Sequence, residues 1–389
     1  MLTAAPLLSL LSLISCVSAK GAVTVEVSNP AGMEIGPRTV ELKSADILGK
    51  LGTQGFVVRD GEGREIPSQL TYDSLIVFKA EVAPGETAVY TVDPSDEVRE
   101  YKNVVWGQEY PKRRDDISYE NELIGFRIYG PGTQQAGEKA FGYDIFFKHP
   151  TEELIVPQLY APETDDAVWA KVDSLRAIDP ALADDFIKTF SYHIDHGLGM
   201  DCYAVGATLG AGVAAIANGD TIYYPWCYDT AEILDNGPVR FTLALHFQPR
   251  EIEGRSVTEH RLISLDAASH LNATKVWYEG LDAPVEIVVG FPLRDETAPL
   301  ECLEKGYIAY SDPTQGDANG RALLGITAAT PMEKISRRDG HILISRTIAP
   351  AEAFRYNWGF AWDRADIPSL EAWGDYLDRS LLDYSVNVK

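Results

Sequence analysis

The chain has 389 residues, 45% hydrophobic and 24% charged, enough for one large β domain or two smaller units. Its formal net charge of −24 opposes the counterion release that drives nucleic-acid binding, and it disfavours an anionic membrane surface. Aromatics reach 10%, with 19 Tyr and 7 Trp. Such side chains give sugar rings a flat apolar face with a polar edge, and large β-sandwiches also carry them for packing.

Residues 1–19 hold no charged side chain, contain the apolar stretch Leu7 to Ile14 and end in small residues, the pattern of a signal peptide. Leu13-Ile14-Ser15-Cys16 fits a lipobox, which would leave a lipid anchor on Cys16. Val17-Ser18-Ala19 fits ordinary cleavage. No other stretch approaches the ~20 apolar residues of a transmembrane helix. The expected location is the bacterial periplasm or cell envelope. Three further cysteines, Cys202, Cys227 and Cys302, show no CxxC spacing. A disulfide between two of them stays open, buried free thiols are the simpler state, and zinc is not expected.

From Val23 to Asp93 the pattern is short strands and turns. Val23, Val25 and Val27 alternate with polar residues, as does Thr39-Val40-Glu41-Leu42. Gly55 to Arg59 runs into the hairpin signal Asp60-Gly61, and Leu75 to Phe78 and Ala88 to Val92 close the set. Residues 20–100 therefore form an N-terminal β module, and Pro94 to Asp116 reads as a connector. The remainder, 101–389, opens with a strand from Leu123 to Tyr129. Pro162 and Pro180 mark a helical excursion near 162–190 that could roof a site. Strands resume after His193, recurring at Val257–Leu265, Thr274–Tyr278, Val285–Val289 and Gly340–Ser345. Leu370, Trp373, Leu377 and Leu381 recur at helical spacing in a C-terminal helix. Strands about ten residues apart without βαβ alternation predict a mainly β protein, a large antiparallel β-sandwich.

The densest chemistry lies between Tyr192 and Gly212. Within twelve residues, Tyr192 to Tyr203, fall His193, His196, Asp195, Asp201 and both tyrosines, interleaved with glycines that let backbone approach a ligand closely. Imidazole, carboxylate and phenol are proton-transfer groups, and the same His and Asp types also cap turns. A phosphate loop is excluded by the missing Lys and Ser/Thr. A second constellation runs Tyr110-Pro111-Lys112-Arg113-Arg114-Asp115-Asp116, then Tyr119-Glu120-Asn121 and Arg127 to Pro131. Arg114 and Arg127 suit capture of a sugar carboxylate, or else the cluster neutralises itself at the surface. In a third set, period 2 puts Glu259 and Arg261 on one face of a strand and His260 on the other, with His270 opening the next strand.

The run Pro111 to Pro131 resembles the opening motif of the DUF4861 family. So does Asp195-His196-Gly197-x-Gly199-x-Asp201-x-Tyr203-x-Val205-Gly206-x-Thr208-Leu209-Gly210-x-Gly212. Phe141 to Lys148, Ser269-His270-Leu271 and Tyr278-Glu279-Gly280 follow the same order. This chain has Tyr119 where the family commonly has Trp, and Leu198 where it commonly has an acid. The resemblance implies a Bacteroidota protein encoded among genes for breakdown of uronic-acid- or rhamnose-containing polysaccharides. The pattern around His270 also resembles the galactose-mutarotase-like supersandwich, a fold that does not choose among activities.

The leading expectation is a lyase that cleaves uronic-acid-containing oligosaccharides by β-elimination, with His196 or Tyr203 as base and Arg114 or Arg127 as neutraliser. Asp201 and His193 complete the catalytic candidates. Asp116, Glu120, Asn121 and His270 join the arginines as substrate contacts. One alternative is a glycoside hydrolase pairing Asp201 with Glu120 or Asp116. Another is a non-catalytic glycan-binding protein. The partner is an oligosaccharide or polysaccharide, acidic ones included, and no cofactor or metal is expected.

Overall fold

The computed structural model describes residues 21–97, 99–328 and 330–389. The leader and Cys16 lie outside the described residues. The N-terminal strands form two small antiparallel sheets. One orders Ser385–Val388, Val23–Ser28, Thr87–Pro94, Phe56–Arg59 and Glu65–Ile66; the other orders Arg38–Lys43, Leu75–Ala80 and Ser68–Leu70. Val23, Val25 and Val27 turn inward with Val40, Leu42, Phe78 and Val92 to make a separate apolar core. The chain's final strand lies in this module, Val25 opposite Val388, and Tyr384 is buried in its core. That return is invisible to local periodicity.

The rest is a large antiparallel sandwich, as the strand spacing predicts. Its largest sheet has nine strands, running from Thr230–Asn236 through Arg240–His246, Arg255–Asp266, Leu271–Glu279 and Phe354–Trp362 to Leu300–Cys302. Two five-stranded sheets face it. One contains Trp106–Tyr110, Asp116–Glu120, Gly125–Ile128, Asp144–Lys148 and Gly199–Met200; the other contains Ala214–Asn218, Val285–Pro292 and His341–Ile348. Aromatic contacts join the layers: Tyr119 stacks on Phe241, Tyr143 on Trp358, and Phe126 meets Trp358 edge-on. The strand Arg255–Asp266 turns Val257, Glu259, Arg261, Ile263 and Leu265 inward, as period 2 predicts. Glu259 and Arg261 form an ion pair inside the core, and Arg261 also donates to the Tyr143 hydroxyl at 3.1 Å.

The helical excursion comprises Val156–Tyr160, Asp166–Ile178 and Pro180–Lys188. Asp165 and Asp179 cap the latter two, accepting from Ala167 N at 2.8 Å and Ala181 N at 2.9 Å. The C-terminal helix, Leu370–Ser380, is capped by the Ser369 hydroxyl. It buries Trp373 and Leu377 against Leu271, Ala309, Leu323 and Ala361. Among the described residues no helix is long and apolar enough to cross a membrane, and Cys202, Cys227 and Cys302 are free thiols.

Candidate active site

The sheet ending at Gly199–Met200 has two chemically different faces. Ile117, Tyr119, Phe126, Ile145 and Phe147 enter the sandwich core. Alternation therefore sends Asp116, Ser118, Glu120, Arg127, Asp144, Phe146 and Lys148 to the opposite face. The Val156–Tyr160 helix covers that face, packing Val156, Leu159 and Tyr160 against Phe146 and Tyr110, with Tyr192 and Leu198 at the margin. Charged groups are thus buried beneath a roof.

Glu120 and Lys148 pin the roof. Lys148 Nζ donates to Glu120 Oε2 at 2.8 Å, and to the carbonyls of Asn121 at 2.8 Å and Glu153 at 2.7 Å. Glu120 accepts from the backbone N–H groups of Ile155 at 3.0 Å and Val156 at 2.8 Å, where the covering helix starts. Burial pushes the Glu120 carboxyl up, and the Lys148 charge opposes the shift.

Farther along the same face lies the cluster that defines the site. Asp116, fully buried, accepts from Arg127 Nε at 2.8 Å and Nη2 at 2.5 Å. Its other oxygen accepts from Gly130 N at 3.0 Å and the Thr133 hydroxyl at 3.3 Å. Arg127 Nη1 reaches to 3.7 Å from Asp144 Oδ2, which accepts from the Tyr129 hydroxyl at 2.7 Å. Asp201 completes the group. Strand pairing of Phe147 with Met200 and Lys148 with Gly199 delivers it beside Asp144. Gly199 is required there: its φ is +133°, and a Cβ would lie 2.0 Å from the Phe147 carbonyl oxygen. Overhead, the Arg113 guanidinium sits 3.8 Å from the centroid of Tyr160 and 4.7 Å from that of Tyr192.

Asp144 and Asp201 are 1% and 3% exposed. Burial pushes Asp144 up to about 8, and the neighbouring Asp201 charge adds to the shift. Burial also pushes Asp201 up, to about 6, and Arg127 and Arg113 restrain it. Both carboxyls are therefore raised, and the pair keeps protons to a higher pH than free carboxylates do. The folded protein keeps protons that the unfolded chain releases above about pH 4. Stability from these protons is full below that value and is lost as pH rises through about 6 and about 8. Asp144→Asn is expected to flatten the decline. Urea unfolding of both proteins between about pH 5 and about pH 9 checks this; parallel curves would contradict the raised value.

The cluster brings together three candidates from the sequence, Asp116, Arg127 and Asp201. The others lie elsewhere. His196 is exposed at the loop tip. The His193 side chain is likewise outside, its Nδ1 held 2.8 Å from the Asp201 carbonyl. The Asp195 carboxylate closes the turn, accepting from Gly197 N and Gly199 N and meeting His149 Nε2 at 2.8 Å. Arg114 pairs with Glu138 at the surface. It and Asp115 are consecutive non-glycine residues at φ 60° and 62°, a strained entry to Asp116. Tyr203 is buried beside Asp312, with Arg294 4.8 Å from its ring centroid. Among the described residues neither carboxyl oxygen of Asp312 has a hydrogen-bond partner, although Arg294 Nε stands 3.7 Å from Oδ2, and burial pushes that group up to about 7.

Asn121 is a structural clamp. Its amide donates to the carbonyls of Asp266 at 2.8 Å and Ser269 at 2.7 Å, while its oxygen accepts from Leu123 N and Ile124 N. His270 anchors the C-terminal region, with Nδ1 2.9 Å from the Phe360 carbonyl and Nε2 2.8 Å from Asp366 Oδ2. Replacing His270 by Ala is expected to cost about 1–3 kcal/mol, from the orphaned partners, without altering the Asp144 cluster. A urea midpoint equal to wild type would contradict the anchoring role.

Sequence reasoning passed over Asp144, Tyr160 and the part played by Tyr129. The available signal was a carboxylate inside the apolar run Phe141 to Lys148, where burial of a charge needs a reason.

A profile of the family described as "Domain of unknown function (DUF4861)" matches residues 27–382, and the chain belongs to that family. It is 25% identical over 371 residues to "Uncharacterized protein P7" of Formosa agariphila, covering 91% of this chain and 85% of that one. Among solved structures it is similar in fold to a protein in glycosyl hydrolase family 38 from Enterococcus faecalis. The TM-score is 0.50 at 11% identity, over 96% of this chain and 48% of that one. An alpha-mannosidase from Enterococcus faecalis V583 gives a TM-score of 0.47 at 10% identity, over 95% and 46%. The chain spans about half the length of the solved structures it matches, and the likeness concerns the fold alone.

Proposed function

We propose that the protein is a carbohydrate-active enzyme of glycan degradation that cleaves glycosidic bonds with Asp144 as proton donor and Asp201 as its ionised partner. The observation that carries this reading is the buried pair itself, two neighbouring carboxyls sealed beneath the roof whose proton affinities burial raises. Tyr129 and Arg127 orient Asp144, Asp116 orients Arg127, and Tyr160 and Tyr192 supply aromatic surface above the pair. Substrate enters when the roof lifts, because the pair is closed off beneath it. The signal-like opening of the sequence supports export to the periplasm as part of the same proposal.

A second reading, β-elimination on a uronic-acid-containing oligosaccharide, is favoured by Arg113 and Arg127 standing over the same face. It requires a different base from the one the sequence pointed to, since His196 is outside the cluster and burial holds the proton of the Tyr129 phenol, which donates to Asp144; the Asp201 carboxylate is the group in place. Incubation with neutral and acidic plant and algal oligosaccharides, followed by mass spectrometry and ultraviolet absorbance, separates the readings. Products heavier by one water support hydrolysis, and unsaturated absorbing products support elimination. An intact panel with retained binding would leave a glycan-binding protein.

A further inference from the structure

The outer face of the nine-stranded sheet carries a row of three rings. His246 stands opposite His260, and His260 opposite Trp277, on adjacent antiparallel strands. His260 lies nearly parallel to Trp277, with centroids 5.1 Å apart and planes 13° apart, which fixes the plane of its imidazole. The Glu279 carboxylate stands 3.4 Å from His260 Nε2. That contact is a proximity of charge and not a hydrogen bond. On the other side of the ring, His260 Nδ1 faces the Nδ1 of His246 at 3.3 Å. His246 is exposed, so the gap between the two nitrogens is open to solvent.

We propose that His246 and His260 form a two-imidazole site for a first-row divalent transition metal, Cu(II) foremost, on the face of the sheet away from the sandwich core. Two nitrogens each about 2.0 Å from one ion are about 3.3 Å apart in a tetrahedral site and about 2.8 Å apart in the tetragonal site Cu(II) prefers. The observed 3.3 Å matches the tetrahedral bite, and a small inward turn of the exposed His246 ring gives the tetragonal one. Imidazole nitrogens suit zinc, copper and nickel, and Cu(II) binds tightest in the series. Water completes the coordination, because among the described residues no three His, Cys, Asp or Glu side chains are grouped to hold an ion. In the metal-free protein the two Nδ1 atoms share one proton in a hydrogen bond, donated by either ring. An entering ion takes both Nδ1 lone pairs, and the displaced proton moves to Nε2 of the ring that donated it, so two neutral imidazoles bind the ion without net proton release. The net charge of −24 raises the cation concentration around the protein.

The test titrates the whole chain with copper(II) chloride by calorimetry, in two buffers of different ionisation enthalpy, alongside electron paramagnetic resonance. His246→Gln, an exposed change, and His260→Gln are compared with wild type, with His149→Gln as a control histidine. Circular dichroism confirms that each variant is folded. The expected result is one Cu(II) equivalent, with two-nitrogen coupling and equal heats in the two buffers, that is lost in His246→Gln and His260→Gln and kept in His149→Gln. If His260→Gln fails to fold, His246→Gln alone decides. Binding in His246→Gln equal to wild type, or no equivalent in wild type, overturns the proposal.

Discussion

Asp144→Asn is expected to lower turnover of the cleaved glycan by about 10³-fold or more, within the range seen when a positioned acid or base is removed. The substitution keeps the shape of the side chain and its contact with the Tyr129 hydroxyl, so substrate binding should change much less than turnover. Asp201→Asn should give a comparable loss, because it removes the ionised half of the pair. The double variant should be little worse than either single one, as groups acting as a unit are non-additive. The wild-type rate should fall on the alkaline side near about 8, where Asp144 gives up its proton, and on the acid side near about 6, where Asp201 gains one. Initial rates across that range, with circular dichroism on each variant, check the prediction. Full activity in Asp144→Asn would rule out this carboxyl as the acid.

Glu120→Gln is expected to be the most damaging single change to stability, at about 3–5 kcal/mol. It leaves the Lys148 ammonium buried without its counter-charge, and both side chains are at most 1% exposed. It also weakens the two backbone hydrogen bonds that start the covering helix. Denaturant midpoints measure the loss. Pairing Glu120→Gln with Lys148→Met should recover much of it, since the uncompensated charge is then gone. A single variant as stable as wild type would show that Lys148 finds another partner and that the roof is held by apolar packing alone.

The N-terminal module and the sandwich were legible because strands obey period 2 over long stretches, Val23–Ser28 in the first and Arg255–Asp266 in the second. The excursion and the last helix were legible from proline boundaries and the spacing of Leu370, Trp373 and Leu377. The return of Ser385–Val388 to the first strand was not, because that pairing joins the two ends of the chain and leaves no local pattern.

The site was half legible. Asp116, Arg127 and Asp201 stood out as charged residues in ordered motifs, and they converge. Glu120, Asn121 and His270 stood out in the same way, yet their hydrogen-bonding capacity goes to holding backbone and neighbouring side chains. Residue type cannot separate these roles; the partners supplied by distant segments do. His196 drew attention through its density of neighbours in sequence, but Gly197 and the Asp195 turn send that loop outward. Asp144 was hidden by the apolar residues around it. Leu198 shows the converse: set between two glycines in a polar motif, it packs against the cluster of Tyr110 and Phe146 at the roof margin.

The most direct measurement is a crystal structure of Asp144→Asn soaked with an oligosaccharide that the wild type cleaves. The expected result is a sugar ring against the introduced amide and the Asp201 carboxylate, with the Val156–Tyr160 helix displaced and Tyr160 or Tyr192 on the ring face. Sugar bound at another surface, with the Asp144–Asp201 face still sealed, would contradict it.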